Sequence, residues 1–254
     1  MYLETFLRNK KFILDFDSSF ITKEALDELA ALALANLPSK LQRQLLRQIA
    51  ETTRLGMEGK LGFSDSLQRR MSILDGYISA AMVEQTAQYL TECISPFFIQ
   101  YHDFFQANRE NVFIVSGGFT ELIVPAIRSY GLRPEQVYAN QFVIENTHVR
   151  NYQRAHLLAQ NNGKVLQLQE LELNSEEVIV IGDGATDRKI KEAGLAKYFF
   201  AFTENIHRPN ILLNDAGVLI ADGTQKELAQ IIELCNENTS REERVLAKPN
   251  VFAI

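Results

Sequence analysis

Phe12-Ile13-Leu14-Asp15-Phe16-Asp17-Ser18-Ser19 is the stretch on which the fold turns. Three apolar residues run straight into two carboxylates one residue apart, and two hydroxyls follow. A short apolar run closed by polar residues reads as a buried strand meeting the loop at its carboxyl end. Open α/β sheets bind ligands along that edge. Alternate residues of an extended segment share a face, so Asp15 and Asp17 can address one ligand while Phe16 turns away. Two such carboxylates suit a hard cation such as Mg²⁺. One can also serve as nucleophile and its neighbour as proton donor or acceptor. Asp-x-Asp alone fits a polar strand end capping a loop better than it fits a catalytic pair, so the other strand ends decide.

Those ends carry matching groups. Val112-Phe113-Ile114-Val115 reads as a second buried strand, closed by Ser116-Gly117-Gly118. A hydroxyl, close backbone approach and amides at a helix start suit a phosphate. Val178-Ile179-Val180-Ile181 is another strand, closed by Gly182-Asp183-Gly184-Ala185-Thr186-Asp187. Its glycines allow a sharp turn, so Asp183 can reach a cation beside Asp15. Lys164, at the start of a helical segment, can neutralise phosphate oxygens. Taken singly these are a glycine turn, an Asp-Gly turn and a solvated lysine. Their meeting on one sheet edge favours chemistry.

The chain of 254 residues has room for one domain with a large insertion or for two small ones. A hydrophobic share of 46% and a charged share of 23% are those of a soluble globular protein. The net charge of −6 and the absence of a basic run exclude a general nucleic-acid surface. Cys93 and Cys235 are too few for a disulfide framework and lack metal-site spacing. No stretch has the apolar length of a membrane span, and Met1 to Lys11 lacks a signal-like apolar block, so the expected location is cytoplasmic.

Between the first two strands the pattern becomes helical. Thr22 is positioned to cap a helix that Pro38 stops, and Ser39 to cap a second through Leu41, Leu45 and Ile49. Three glycines between Thr53 and Phe63 read as a loop. Ser64 or Asp65 starts a further helix, and another runs from about Ser79 towards Ile94. The expected architecture is an α/β core of 1–20 and 91–235, a Rossmann-like parallel sheet, with a helical cap of 21–90 inserted after the first strand and a tail of 236–254. Later expectations are a helix over Phe97–Ala107 and a helix stop at Gly131. A strand over Val137–Ile144, then a loop or hairpin up to Gln160, should lead to a helix over Lys164–Leu171. Tyr198–Phe202 and Val218–Ala221 should complete the sheet, and Thr224 should cap a helix to Cys235.

Together these residues resemble the haloacid dehalogenase superfamily and, within it, the phosphoserine phosphatases, over most of residues 12–235. Asp15-Phe16-Asp17-Ser18-Ser19 resembles the first motif, which implies Asp15 as nucleophile and Asp17 as acid/base, with Ser19 in place of the usual threonine. Ser116 with Gly117 and Gly118 resembles the second, phosphate-binding motif. Gly182 to Asp187 resembles the fourth, implying Asp183 as a metal ligand with Asp15 and Asp17, Thr186 near substrate and Asp187 in support. The third motif departs: lysine usually precedes glycine, whereas Asn162-Gly163-Lys164 places it after. The resemblance leaves Lys164 or Asn162 for that role, and the absence of any other lysine between Lys60 and Lys189 favours Lys164.

The cap also resembles the family. Glu24 stands where an ammonium of phosphoserine is held, and Thr53 to Gly59 with Phe63, Leu67 and Arg70 match the cap pattern. Arg70 would fork onto a carboxylate, while Met57 and Phe63 close an apolar lid. The resemblance implies a Mg²⁺-dependent phosphatase in serine biosynthesis that acts on phosphoserine through an aspartyl-phosphate, as a monomer or homodimer. Alternatives are a phosphotransferase, a phosphatase for another small metabolite, or a non-catalytic phosphate- or metal-binding interaction protein. Retention of Asp17 speaks against the last.

Overall fold

β1 (Lys11–Leu14) sits in the middle of a six-stranded sheet, with Phe12, Ile13 and Leu14 buried. The structure, a computed structural model, describes residues 10–206 and 218–219. The strand order is β3-β2-β1-β6-β7-β8, where β2 is Val112–Phe119, β3 Val137–Asn140, β6 Val178–Gly182, β7 Tyr198–Ala201 and β8 Val218–Leu219. Every pairing is parallel. Strands of such sheets are covered on both faces, which is why β1 and β6 read as unbroken apolar runs. β1 lies between β2 and β6, so three motifs far apart in sequence end side by side.

The chain between β1 and β2 begins with the helices α1 (Ala25–Ala33), α2 (Ser39–Met57), α3 (Phe63–Ile73) and α4 (Ala80–Leu90). The chain leaves and re-enters the sheet layer through two antiparallel segments that meet at Ile21 and Ile94. Thr22 does not cap α1. Its N–H donates to Cys93 O at 2.8 Å and its hydroxyl to the same oxygen at 3.2 Å, which keeps the crossover extended until Glu24. α1 ends at Ala33, before Pro38. Ser39 is already inside α2, which Pro38 precedes.

The expected loop from Thr53 is helical as far as Met57. Gly56 is not a breaker there. A Cβ on it would lie 2.8 Å from Ser66 Oγ, so glycine lets α2 and α3 approach closely. α3 accordingly begins at Phe63, ahead of Ser64. α4 starts where expected, after Ser79, whose hydroxyl accepts from Met82 N, and ends at Leu90, short of Ile94.

The helix expected over Phe97–Ala107 is two short ones, α5 (Pro96–Gln100) and α6 (His102–Ala107). Their aromatic rings pack on Phe20 and Phe12 beneath the sheet. After β2 comes α7 (Thr120–Ile127), and Gly131, at φ +68°, ends the turn that follows it, as expected. Val137–Ile144 is not one strand. The chain breaks at Gln141, and β4 (Phe142–Glu145) leaves the sheet to form an antiparallel hairpin with β5 (His148–Tyr152). That hairpin is fastened to the start of α4, Ala80 N donating to Thr147 O and Val149 N to Ile78 O. α8 (Gly163–Glu170) and α9 (Ala185–Glu192) cover the other face. The expected helix from Thr224 and the tail lie outside the described residues. Among those described, no helix is long and apolar enough to cross a membrane.

α8 sits directly on the turn Leu157–Ala159, because a Cβ on Gly163 would fall against Leu157 O and 2.8 Å from Leu158 Cα. Backbone cannot yield there as a side-chain tip can. Gly163→Ala is expected to destabilise the fold by about 1–3 kcal/mol, the usual cost of overpacking. Urea unfolding of the variant checks this; an unchanged midpoint would show that the contact relaxes freely.

Candidate active site

One residue past β1, Asp15 N still donates to Ile181 O at 2.9 Å, so its carboxylate is carried at the sheet's carboxyl edge. The backbone then turns sharply through Ser18, at φ +54°. A non-glycine residue held left-handed costs roughly 1–2 kcal/mol. Two bonds offset that strain: Ser18 N donates to Lys23 O and Ser18 Oγ to Glu24 Oε1, at 2.9 and 2.8 Å. The turn folds Asp17 back so that its Oδ1 accepts from Ala25 N, at the start of α1, at 2.7 Å. It also presents Ser19 Oγ to Asp183 Oδ1 at 3.1 Å.

Ser116, Gly117 and Gly118 lie within β2, in a bulge. Four residue steps on β2, Val115 to Phe119, oppose two on β3, Tyr138 to Asn140. Bulges re-aim a strand locally, and here Ser116 Oγ accepts from Gly118 N at 2.9 Å. Gly117 lies under the Phe63 ring, where a Cβ would come within 2.5 Å of it. The absence of a side chain on Gly182 leaves room for the carboxyl of Asp187. Lys164 Nζ lies 2.7 Å from both Asp15 Oδ1 and Asp187 Oδ1. Asn162 points elsewhere, its Oδ1 accepting from Lys189 Nζ at 3.0 Å.

Asp15, Asp17, Glu24, Met57, Phe63, Arg70, Ser116, Gly117, Gly118, Lys164 and Thr186 line a single cavity of about 30 Å³. Ser19, Asp183 and Asp187 adjoin it through the bonds above. Leu26, Gly56 and Phe119 also line it, and sequence reasoning did not single them out. Apolar residues such as Leu26 and Phe119 carry no chemical signal in a sequence, and Gly56 reads as a loop glycine. A larger open groove of about 840 Å³ between α2 and α3 contains none of these groups. Arg70 is buried and donates from Nη1 to Thr53 Oγ1 at 3.4 Å, and its Nε has no partner among the described residues.

Burial sets the electrostatics. It pushes the Asp17 carboxyl up to about 7; the Ala25 N–H opposes the rise, the nearby Asp15 adds to it and Arg70 opposes it. Glu24 is raised well above the usual carboxylate range by burial, then by Asp17 and Asp183. Asp187 rises to about 8 from burial and the Asp15 charge, with Lys164 opposing. Burial alone would lower the Lys164 ammonium, but Asp15 and Asp187 outweigh it and raise it. The carboxylates are therefore in excess of the cations that face them. Oxygens of Asp15, Asp183 and Asp187 all lie within 4.8 Å of one another. Such an all-oxygen, anion-rich set fits a hard divalent cation. The Asp17 carboxylate is outside that group.

A parallel sheet carrying carboxylates at adjacent strand ends, with a lysine and a hydroxyl beside them, is suited to holding a cation and a phosphoryl group. The family model for haloacid dehalogenase-like hydrolases matches residues 12–191. A phosphoserine phosphatase of Campylobacter jejuni subsp. doylei is 30% identical over 226 residues, covering 87% of this chain and 98% of that protein. The chloroplastic phosphoserine phosphatase of Arabidopsis thaliana is 26% identical over 191 residues, 74% of this chain, which spans only 61% of the plant protein. The crystal structure of a phosphoserine phosphohydrolase-like protein from Francisella tularensis superposes with a TM-score of 0.73 at 27% identity, covering 88% of this chain and 99% of that one. The chain belongs to the haloacid dehalogenase-like hydrolases, in the phosphoserine phosphatase family, and is a phosphatase.

Removing the lysine would leave two buried carboxylates facing each other. Lys164→Met is expected to lower stability by about 3–5 kcal/mol, the cost of stripping one partner from a buried ion pair. Denaturant unfolding at neutral pH without added metal measures it. A loss below about 1 kcal/mol would mean that Asp15 and Asp187 find other compensation.

Proposed function

We propose that this chain hydrolyses O-phosphoserine to serine and phosphate with Mg²⁺, through an aspartyl-phosphate on Asp15. The observation that carries the substrate is Arg70, a buried guanidinium in the same cavity as Asp15, with an N–H that no group among the described residues satisfies. An unmet buried donor on a cation is costly, and a ligand carboxylate meets it in a forked geometry. The buried Glu24, which burial and the neighbouring Asp17 and Asp183 hold towards its neutral form, would ionise beside a ligand ammonium and pair with it. A ligand with phosphate, carboxylate and ammonium on a short frame satisfies Lys164, Arg70 and Glu24 together.

Asp15 attacks phosphorus in line, and the bond to the serine oxygen breaks. Asp17, held by the Ala25 N–H, gives that oxygen a proton and later takes one from the water that cleaves the acyl phosphate. Lys164, Ser116 and the Gly117 backbone hold the remaining phosphate oxygens, where fixed charges and dipoles supply most of the rate. Asp15, Asp183 and Asp187 would hold the Mg²⁺, with Asp17 and Ser19 beside them; the ion would neutralise charge on the transferring group. Both polar contacts of the Asp15 side chain fall on Oδ1, leaving Oδ2 for the reaction.

The cavity of about 30 Å³ is far below the roughly 300–1,000 Å³ of small-molecule sites. Turnover therefore requires α1–α4, within the cap of 21–90, to swing from the core of 1–20 and 91–235, with Met57 and Phe63 as its closing edge. Thr186, on the core side of the cavity, contacts the substrate as the cap shuts. This reading places the enzyme in serine biosynthesis in the cytoplasm, as a monomer or homodimer.

Specificity constants for phosphoserine, phosphoethanolamine, 3-phosphoglycerate and p-nitrophenyl phosphate, with and without Mg²⁺, test the reading. Phosphoserine should exceed phosphoethanolamine, which lacks the carboxylate, and 3-phosphoglycerate, which lacks the ammonium, because each leaves a buried charge unpaired. Arg70→Ala should narrow the first gap and Glu24→Gln the second, with p-nitrophenyl phosphate affected less. Equal constants for phosphoserine and phosphoethanolamine in the wild type would remove the substrate assignment and leave a phosphatase.

A further inference from the structure

Asn140, the last residue of β3, is fully buried, yet its side chain touches neither the cavity nor the carboxylates. Its Nδ2 donates to Gly117 O at 2.9 Å and to Leu158 O at 3.2 Å. Both amide hydrogens are thus spent on backbone carbonyls from two different segments. Its Oδ1 is buried and has no partner among the described residues. The two carbonyls fix which end of the amide faces them, since two oxygens there would repel. A buried orphan acceptor is unfavourable, so the position has use for an amide's two donors.

Each carbonyl belongs to a segment that delivers a phosphate-facing group. Gly117 lies in the β2 bulge next to Ser116. Leu158 lies in the turn on which Gly163 rests without room for a Cβ, and Gly163 starts the helix that carries Lys164. One amide therefore ties the Ser116–Gly117 backbone to the base of α8. We propose that Asn140 is a positioning residue that sets the distance between Ser116–Gly117 and Lys164, and so the fit of the phosphate cradle. The proposal rests on the phosphate role given to those three residues. It goes beyond that role in making a residue outside the cavity govern affinity for the phosphoryl group, independently of what the group is attached to.

Gln136 supplies a matched control. It immediately precedes β3 at the opposite end of the sheet, is buried, and donates from Nε2 to Arg109 O and Val112 O at 2.6 and 2.8 Å. Asn140→Leu and Gln136→Leu each remove one amide bridging two carbonyls, near the site and far from it. Inhibition by inorganic phosphate, kcat/KM on phosphoserine, phosphoethanolamine and p-nitrophenyl phosphate, and melting temperature are measured for both. Asn140→Leu is expected to weaken phosphate inhibition roughly tenfold or more, the scale on which small misplacements act. Its kcat/KM should fall by a common factor on all three substrates. Gln136→Leu should lower the melting temperature and leave phosphate inhibition within about twofold of wild type. If Asn140→Leu does not fold, Asn140→Ser, which keeps one donor, should show a smaller loss in the same direction. Unchanged phosphate inhibition in the folded Asn140 variant, an equal loss in Gln136→Leu, or a loss confined to one substrate overturns the proposal. A wild type that phosphate does not inhibit and that hydrolyses none of the three overturns the phosphate reading itself, and the proposal with it.

Discussion

The ammonium of Lys164, 2.7 Å from a carboxylate oxygen of Asp15 and of Asp187, is the contact on which the rest of the site depends. A parallel sheet with β1 between β2 and β6 brings the ends of those strands together, and two of the ends carry aspartates. Like charges gathered in a dry place disfavour ionisation. Lysine meets part of that cost from α8, and the upward shifts of Asp17, Glu24 and Asp187 show how much is left. A site with surplus negative charge and an all-oxygen donor set is prepared for a cation and for the transfer of an anionic group.

Glycines make this crowding sterically possible. Gly182 clears space for the Asp187 carboxyl, Gly163 lets α8 settle on the Leu157–Leu158 turn, and Gly117 admits the Phe63 ring over the bulge. The strained Ser18 turn aims Asp17 and Ser19 inward and is held from outside by Lys23 and Glu24. Glu24 therefore fastens the turn beside Asp15 and Asp17, and in the proposed reading it also meets the substrate ammonium. Movement of α1 would alter both tasks together, which links closure of the helical segment to the geometry of Asp17.

Strand ends were the most legible part of the sequence, because apolar runs closed by Asp, Ser and Gly have few other readings. Lys164 was legible through the lack of any other lysine in its region, and its position explains the inverted order of glycine and lysine. Gly163 must pack on backbone, so the side chain that reaches inward comes one residue later. Local reasoning failed where tertiary contacts decide. Gly56 looked like a helix breaker but permits contact with Ser66. Val137–Ile144 looked like one strand, though Gln141 breaks it and sends β4 into the hairpin clasping α4. Asn140 gave no signal, since its partners Gly117 and Leu158 are distant in sequence and are met through their backbones.

The central claim is that Asp15, presented by the sheet edge and partnered by Lys164, takes the phosphoryl group covalently. Rapid acid quench after mixing the Mg²⁺-loaded protein with phosphoserine, followed by peptide mass spectrometry, tests it most directly. The account predicts one phosphoryl mass on the peptide containing Asp15 in the wild type, removed by hydroxylamine and absent from Asp15→Asn. Phosphate release at full rate from Asp15→Asn, or a phosphoryl group recovered only on another residue, would contradict it.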